Sequence, residues 1–342
     1  MNRKVLISKQ KKRINGDILV IRLLDYSPKE MLNLKPKEIK EAIMLAGGRT
    51  LHVLSRLSAP NTVQYVCNPE LVAIFGADIV GLAAYDPIDP LFPGLPSKNP
   101  KDDESTRNIQ IQLGKGWTVR EVRELIGRLV SIDMEVPSQY GKEEIDHRGR
   151  ARSRYFTKEN AQKVISQGPD IFGVGSREGS REDVYQSVID AKKLVKGKCL
   201  LAVGLERPLG ATIKGKKPYD LRKLITPEAV TNIAEAGADI IQVPAAGCLP
   251  GFDREYVQKL FAVIHKYNCL ASAGIQQSQE GADVETIKRL ALLNKMAGID
   301  MLNLGDAGLN ESTTLPENIM AVSIVIKGRR HTYRRMARSI LR

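Results

Sequence analysis

Four times along the chain a helix-like segment ends in glycine, any residue and aspartate, and an apolar run follows. The joints are Gly76 to Asp78 before IVGL, Gly168 to Asp170 before IFGV, Gly237 to Asp239 before IIQV and Gly298 to Asp300 before MLNL. Glycine suits a left-handed helix C-cap, and an apolar run without alternation reads as a strand buried on both faces. A joint of this kind belongs to a parallel sheet, and its repetition defines the architecture. Filling the gaps gives eight strand candidates, at 50–55, 79–84, 129–135, 170–175, 199–205, 239–244, 269–274 and 299–304, with amphipathic helical patterns between them and a last helix opening at Pro316. Eight consecutive βα units predict an α/β protein, a closed (β/α)8 TIM barrel.

The 342 residues exceed the ~250 of a minimal barrel. The surplus falls after strands 2, 3 and 5, at 87–117, 136–157 and 206–226, and ahead of strand 1. All three insertions lie on the βα side, where barrel enzymes carry their active sites. Residues 1–49 read as a basic arm and a helical extension, with Ser27 capping a helix at Pro28 and Gly47 and Gly48 ending a second. Such an extension plugs the bottom of a barrel or packs on a neighbouring subunit, so a homo-oligomer is one expectation. Residues 50–342 make the barrel and a basic C-terminal helix.

The formal charge of +13 sits entirely at the two ends: six basic residues and no acid in 1–13, seven and no acid in 327–342. A basic final helix is favoured by the helix dipole and a basic arm is commonly solvated, whereas an RNA-binding reading lacks aromatic interleaving beyond Tyr333 and any nucleic-acid motif. The neutral body points to a small-molecule partner instead. No apolar run reaches the ~18 residues of a membrane span and no signal-peptide core follows the basic start, so a soluble cytoplasmic protein is expected. Cys67, Cys199, Cys248 and Cys269 lack CxxC spacing, which argues against disulfides and a zinc knot.

In a barrel the polar residues at the C-terminal strand ends carry the chemistry. Asp133 and Glu135 lie two apart on strand 3 and so share its inner face. With Asp86 after strand 2 and Glu206 after strand 5, they suit a hard divalent ion, Mg²⁺ or Mn²⁺. The competing arrangement is an acid–arginine network through Arg56, Arg177 and Arg207 without metal. His52 on strand 1 faces either the interior or the helices. Gly274, Gly305 and Gly308, in the loops after the last two strands, would let a backbone approach a phosphate or other anion of the substrate closely. Asp306 in the same loop opposes a bare phosphate unless a metal or lysine offsets it.

The segment EIKEAIMLAGGRTLHVLSR, the joint FGADIVGLAAYD and the strand SIDMEVPSQYG resemble the phosphoenolpyruvate mutase and isocitrate lyase superfamily. The resemblance implies that Asp133 and Glu135 occupy the places of that family's Mg²⁺-associated acids. More closely, residues from about Arg22 to Ser339, with NLGDAG, PENIMA and GRRHTYRRMA, are similar to a bacterial TIM-barrel family whose members are called phosphonomutase-like or haloacid dehalogenase-like hydrolase. The chain departs from the superfamily at the end of strand 4, where GSREGS replaces an acid, and it lacks the K-K-C-G-H lyase loop. A haloacid dehalogenase nucleophile motif is also missing.

These readings lead to a metal-assisted enzyme acting on a small phosphorylated or carboxylated metabolite by lyase or isomerase chemistry. Asp133 and Glu135 would hold the ion, Arg177 or Arg56 would clamp the anionic substrate, and Glu206 or Asp86 would move the proton. The alternatives are a hydrolase of phosphorylated substrates and a non-catalytic barrel that binds a metabolite or partner.

Overall fold

The computed structural model describes residues 20–109, 111–137, 152–176, 180–205 and 220–342, together with the backbone of 13–14 and 17–18. Eight strands form a closed barrel, β1 (Thr50–Arg56), β2 (Ile79–Ala83), β3 (Leu129–Glu135), β4 (Ile171–Gly175), β5 (Leu200–Gly204), β6 (Ile240–Pro244), β7 (Leu270–Ile275) and β8 (Met301–Leu304). Every neighbouring pair is parallel, and β8 closes on β1 with Met301 opposite Thr50. The helices are α1 (Pro28–Met31), α2 (Pro36–Ala46), α3 (Asn68–Ile74), α4 (Val119–Ile126), α5 (Lys158–Ser166), α6 (Arg181–Val195), α7 (Pro227–Glu235), α8 (Arg254–Lys266), α9 (Val284–Ala297), α10 (Pro316–Lys327) and α11 (Arg329–Ala337). From α3 to α10 one helix follows each strand, which is the (β/α)8 order expected from the repeat. Among the described residues no helix is long and apolar enough to cross a membrane.

The repeated aspartate ties strands together in pairs. Each one accepts the backbone N–H of the second residue of the preceding strand and donates its own N–H to the carbonyl of that residue. For Asp78 and Leu51 the two distances are 2.9 and 2.8 Å, for Asp170 and Val130 2.9 and 3.0 Å, for Asp239 and Leu201 3.0 and 2.8 Å, and for Asp300 and Ala271 2.7 and 2.9 Å. A buried carboxylate with only N–H donors still needs a countercharge. Arg123 supplies it to Asp170 at 2.7 Å, Lys192 to Asp239 at 3.3 Å and His265 to Asp300 at 2.9 Å.

The hydrogen bond to Asp300 raises the imidazole pKa of His265 above its ordinary 6.5, against the opposing effect of partial burial. Because the folded-state value is the higher one, the stability this pair adds is fully present below pH 6.5 and disappears as pH rises through the raised value. His265→Gln is expected to lower stability at pH 6 by up to about 1 kcal/mol, given the half-exposed pair, and to leave it unchanged at pH 9. Urea midpoints at the two pH values check this.

The N-terminal extension plugs the barrel. Ser27 and Glu30 form a reciprocal capping box at the start of α1, and Gly47 ends α2 in the left-handed conformation. Leu23, Met31, Ile39 and Ile43 pack against Ile79, Leu129, Ile171, Leu200, Ile240, Leu270 and Met301, the first residues of β2 to β8. The basic C-terminus is held by more than the helix dipole expected to favour it. Lys327 and Arg335 are buried, and both converge on Asp78, Arg335 Nε at 2.8 Å. Arg335 also donates to the Leu23 carbonyl at 2.9 Å, and Arg334 pairs with Asp25 at 2.7 Å. Much of the terminal charge therefore fastens the last helix to the extension and to the first repeat.

Candidate functional site at the barrel mouth

Above the plug layer the inward positions of three strands are small: Gly81 on β2, Gly173 and Gly175 on β4, Ala202 and Gly204 on β5. Side chains too short to meet across the axis leave a cavity of about 480 Å³ that opens at the C-terminal strand ends. Arg56, Asp133, Glu135 and Asp306, four of the residues singled out by sequence, line it together.

Asp133 points from β3 over Gly173, so closely that a Cβ there would stand 1.8 Å from Oδ1. Its carboxylate faces the cavity and has no hydrogen bond or ion pair among the described residues. The side chain is exposed to the cavity, yet the surrounding barrel wall and, secondarily, the charge of Asp306 push its pKa up to about 6. Glu135 follows on the same face, half-buried, and Phe156 N–H donates to its carbonyl at 2.7 Å. Across the cavity Arg56 Nη2 meets Asp306 Oδ2 at 2.8 Å, and Nη1 lies 3.7 Å from the exposed Glu311. The offset that Asp306 required is thus an arginine rather than a lysine.

A polar layer lies beneath. His52 faces the interior, with Nε2 2.8 Å from Ser131 Oγ and Nδ1 2.7 Å from Asn303 Nδ2. Burial lowers its pKa to about 4, so the ring is neutral. Gln242 Oε1 accepts from Ser272 Oγ at 2.9 Å. Gln276 Oε1 and Asn303 Oδ1 are buried acceptors without a hydrogen-bond partner among the described residues. Gln276, His52, Ser131, Gln242 and Arg154 all line the cavity.

Two expectations need correction. Asp86 does not line the cavity; its Oδ1 accepts from the N–H of Ile88 at 2.9 Å and caps a turn. The glycines do not present a free anion cradle either. Gly274 sits inside the ladder opposite Pro244 and Asn303, while Gly305 N–H donates to the Ile275 carbonyl and Gly308 N–H to that of Thr313. A Cβ on Gly305 would meet Glu280 Oε1 at 2.3 Å, and one on Gly308 the Thr313 carbonyl oxygen at 2.3 Å. These glycines make room for the protein's own acceptors. Glu280 Oε1 also takes the Ala307 N–H at 3.1 Å. Arg177 and Glu206 lie outside the described residues.

Sequence reasoning missed Ser131, Gln276 and Arg154 and noted Gln242 only as the polar end of its strand. For Ser131 a signal existed, since it precedes Asp133 and Glu135 by two and four positions on one strand face.

An open (β/α)8 barrel with an acid-lined mouth and a polar interior layer is the class that fold and site define. The chain belongs to the family described as a domain of unknown function (DUF7916), whose model matches residues 24–342. No curated protein matches it. Among solved structures, thiamine phosphate pyrophosphorylase from Pyrococcus furiosus is similar at 10 % identity, over 83 % of this chain and 98 % of that one, with a TM-score of 0.43. Deoxyribose phosphate aldolase from Aeropyrum pernix matches at 15 % identity, over 83 % and 91 %, with a TM-score of 0.42. The YdjI aldolase from Escherichia coli K12 matches at 10 %, over 88 % and 96 %, with a TM-score of 0.41. Likenesses this distant say nothing of the reaction.

Proposed function

We propose that the cavity is the active site of a metal-assisted lyase or isomerase for a small carboxylated or phosphorylated metabolite. The observation that carries this reading is Asp133, a carboxylate that faces the cavity with no countercharge among the described residues and with a second carboxylate, Glu135, on the same wall. Asp133 is exposed to the cavity, where the charge of Asp306 opposes its ionisation, and a cation in the cavity offsets that repulsion. Asp133 and Glu135 are hard oxygen donors of the kind Mg²⁺ and Mn²⁺ take. Among the described residues no three His, Cys, Asp or Glu side chains group as a complete cage. Mg²⁺ commonly uses one or two carboxylates and fills its shell with water and substrate oxygens, so the donor set fits.

A bound ion would polarise a substrate carbonyl and stabilise an enolate. Arg56, fixed by Asp306, and Arg154 put positive charge on the cavity wall, where it would face the anionic end of the substrate. Glu206, which lies outside the described residues, or Asp86 would transfer the proton, as the sequence suggests. Mn²⁺ titration followed by electron paramagnetic resonance tests the reading. The protein is expected to take up one Mn²⁺, and Glu135→Gln to weaken it about tenfold or more. A protein that leaves the free-ion signal unchanged at millimolar Mn²⁺ would overturn the proposal.

A further inference from the structure

The layer under the carboxylates is a directed chain of hydrogen bonds. Asn303 Nδ2 is a donor, so the His52 Nδ1 it faces at 2.7 Å is the acceptor nitrogen. In a neutral ring the proton is then on Nε2, which donates to Ser131 Oγ at 2.8 Å. With His52 as its donor, Ser131 keeps its own O–H proton, for which no acceptor exists among the described residues. Ser131 lines the cavity, so that proton is aimed at whatever enters it. Gly81 is part of the arrangement, since a Cβ there would stand 2.8 Å from His52 Nε2 and 3.2 Å from Ser131 Oγ. Gln242, which also lines the cavity, spends its oxygen on Ser272, so its amide N–H groups are not engaged by that bond.

We propose that Ser131 is a substrate-binding residue that donates to a carboxylate or carbonyl oxygen seated at the cavity floor, and that His52 and Asn303 are the residues that position it. The inference deepens the active-site reading and rests on it. The acids ring the mouth and the neutral donors line the floor, so the substrate is a short oxo acid or hydroxy acid that enters oxygen end first. Hydrogen bonds chained in one direction polarise one another, which strengthens the last donor without placing a charge beside Asp133.

The test uses the full chain. Nitrogen NMR of labelled histidine is expected to show His52 as a neutral ring protonated on Nε2 at pH 7. Calorimetry with pyruvate, glycolate and malonate, with and without saturating Mn²⁺, is expected to give binding of at least one acid. Ser131→Ala should weaken that acid about tenfold to a hundredfold, the loss of one hydrogen bond to a charged group, with Mn²⁺ affinity unchanged, and Ser131→Thr should restore most of it. Asn303→Leu should alter the His52 nitrogen shifts and weaken the acid as well. An Nδ1-protonated ring, equal binding by Ser131→Ala, or Mn²⁺ uptake with no acid bound would overturn the inference and leave the metal site standing. Acid binding that depends on Ser131 in a protein that takes no Mn²⁺ would support the floor and overturn the metal.

Discussion

Asp78→Ala is expected to cost about 3–5 kcal/mol of folding stability, the range for removing one partner of a buried ion pair, and to be the most damaging single substitution outside the cavity. Asp78 is 1 % exposed, and its two oxygens take Lys327 Nζ, Arg335 Nε and the Leu51 N–H. Arg128 stands buried in the same region and satisfies only carbonyl oxygens, those of Ala73, Ala77, Gly127 and Arg335. One acid thus balances a locally cationic interior, and its loss strands two charges that α10 and α11 cannot carry back to water without leaving the barrel. Lys327→Met should cost less, because Arg335 still neutralises Asp78, and Asp78→Asn combined with Lys327→Met should recover part of the loss. Burial alone would raise the Asp78 pKa, but Lys327 and Arg335 outweigh it and hold the group below 3.8. Stability from this acid is therefore present above about pH 4 and lost as pH falls through the depressed folded-state value. Guanidinium unfolding decides the matter: a wild-type midpoint for Asp78→Ala would show that the cluster contributes nothing.

The same aspartate shows what could and could not be read from the chain. The Gly-x-Asp joints were legible because they obey local rules, a left-handed cap followed by an apolar strand, and eight units of that kind admit few closures. The use of each aspartate was not, since it depends on a backbone N–H in a strand some thirty residues earlier that only the closed barrel brings alongside. Charge counted along the sequence gave Lys327 and Arg335 only as part of a basic final helix, because counting carries no information on which side of α10 and α11 meets Asp78. At the mouth, the alternation of β3 identified Asp133 and Glu135, the kind of inference that strand geometry supports. Asp86 failed for the opposite reason. An aspartate just after a strand serves equally as a turn cap, and the loop geometry chooses. The pairing of His52 with Asn303 spans 251 positions, beyond any local pattern.

Asp133→Asn is expected to abolish Mn²⁺ binding and turnover while making the metal-free protein more stable. The two effects have one cause. Among the described residues the carboxylate has no countercharge, and the surrounding barrel wall and Asp306 both oppose its ionisation, so removing the charge relieves the folded state. The gain should be at most about 1 kcal/mol at pH 7, because the side chain is exposed to the water of the cavity. Chemical unfolding and Mn²⁺ titration of the same preparation separate the readings. A destabilised variant that still binds Mn²⁺ would make Asp133 a structural residue and remove the basis of the proposed site. Gly173→Ala supplies an independent check that leaves the acid in place. A methyl group 1.8 Å from Oδ1 must displace the Asp133 side chain, so metal binding should fall even though every polar group of the cavity remains. If Gly173→Ala binds as well as the parent, the carboxylate works equally well from another position, and the clearance that glycine provides is not what holds the site in shape.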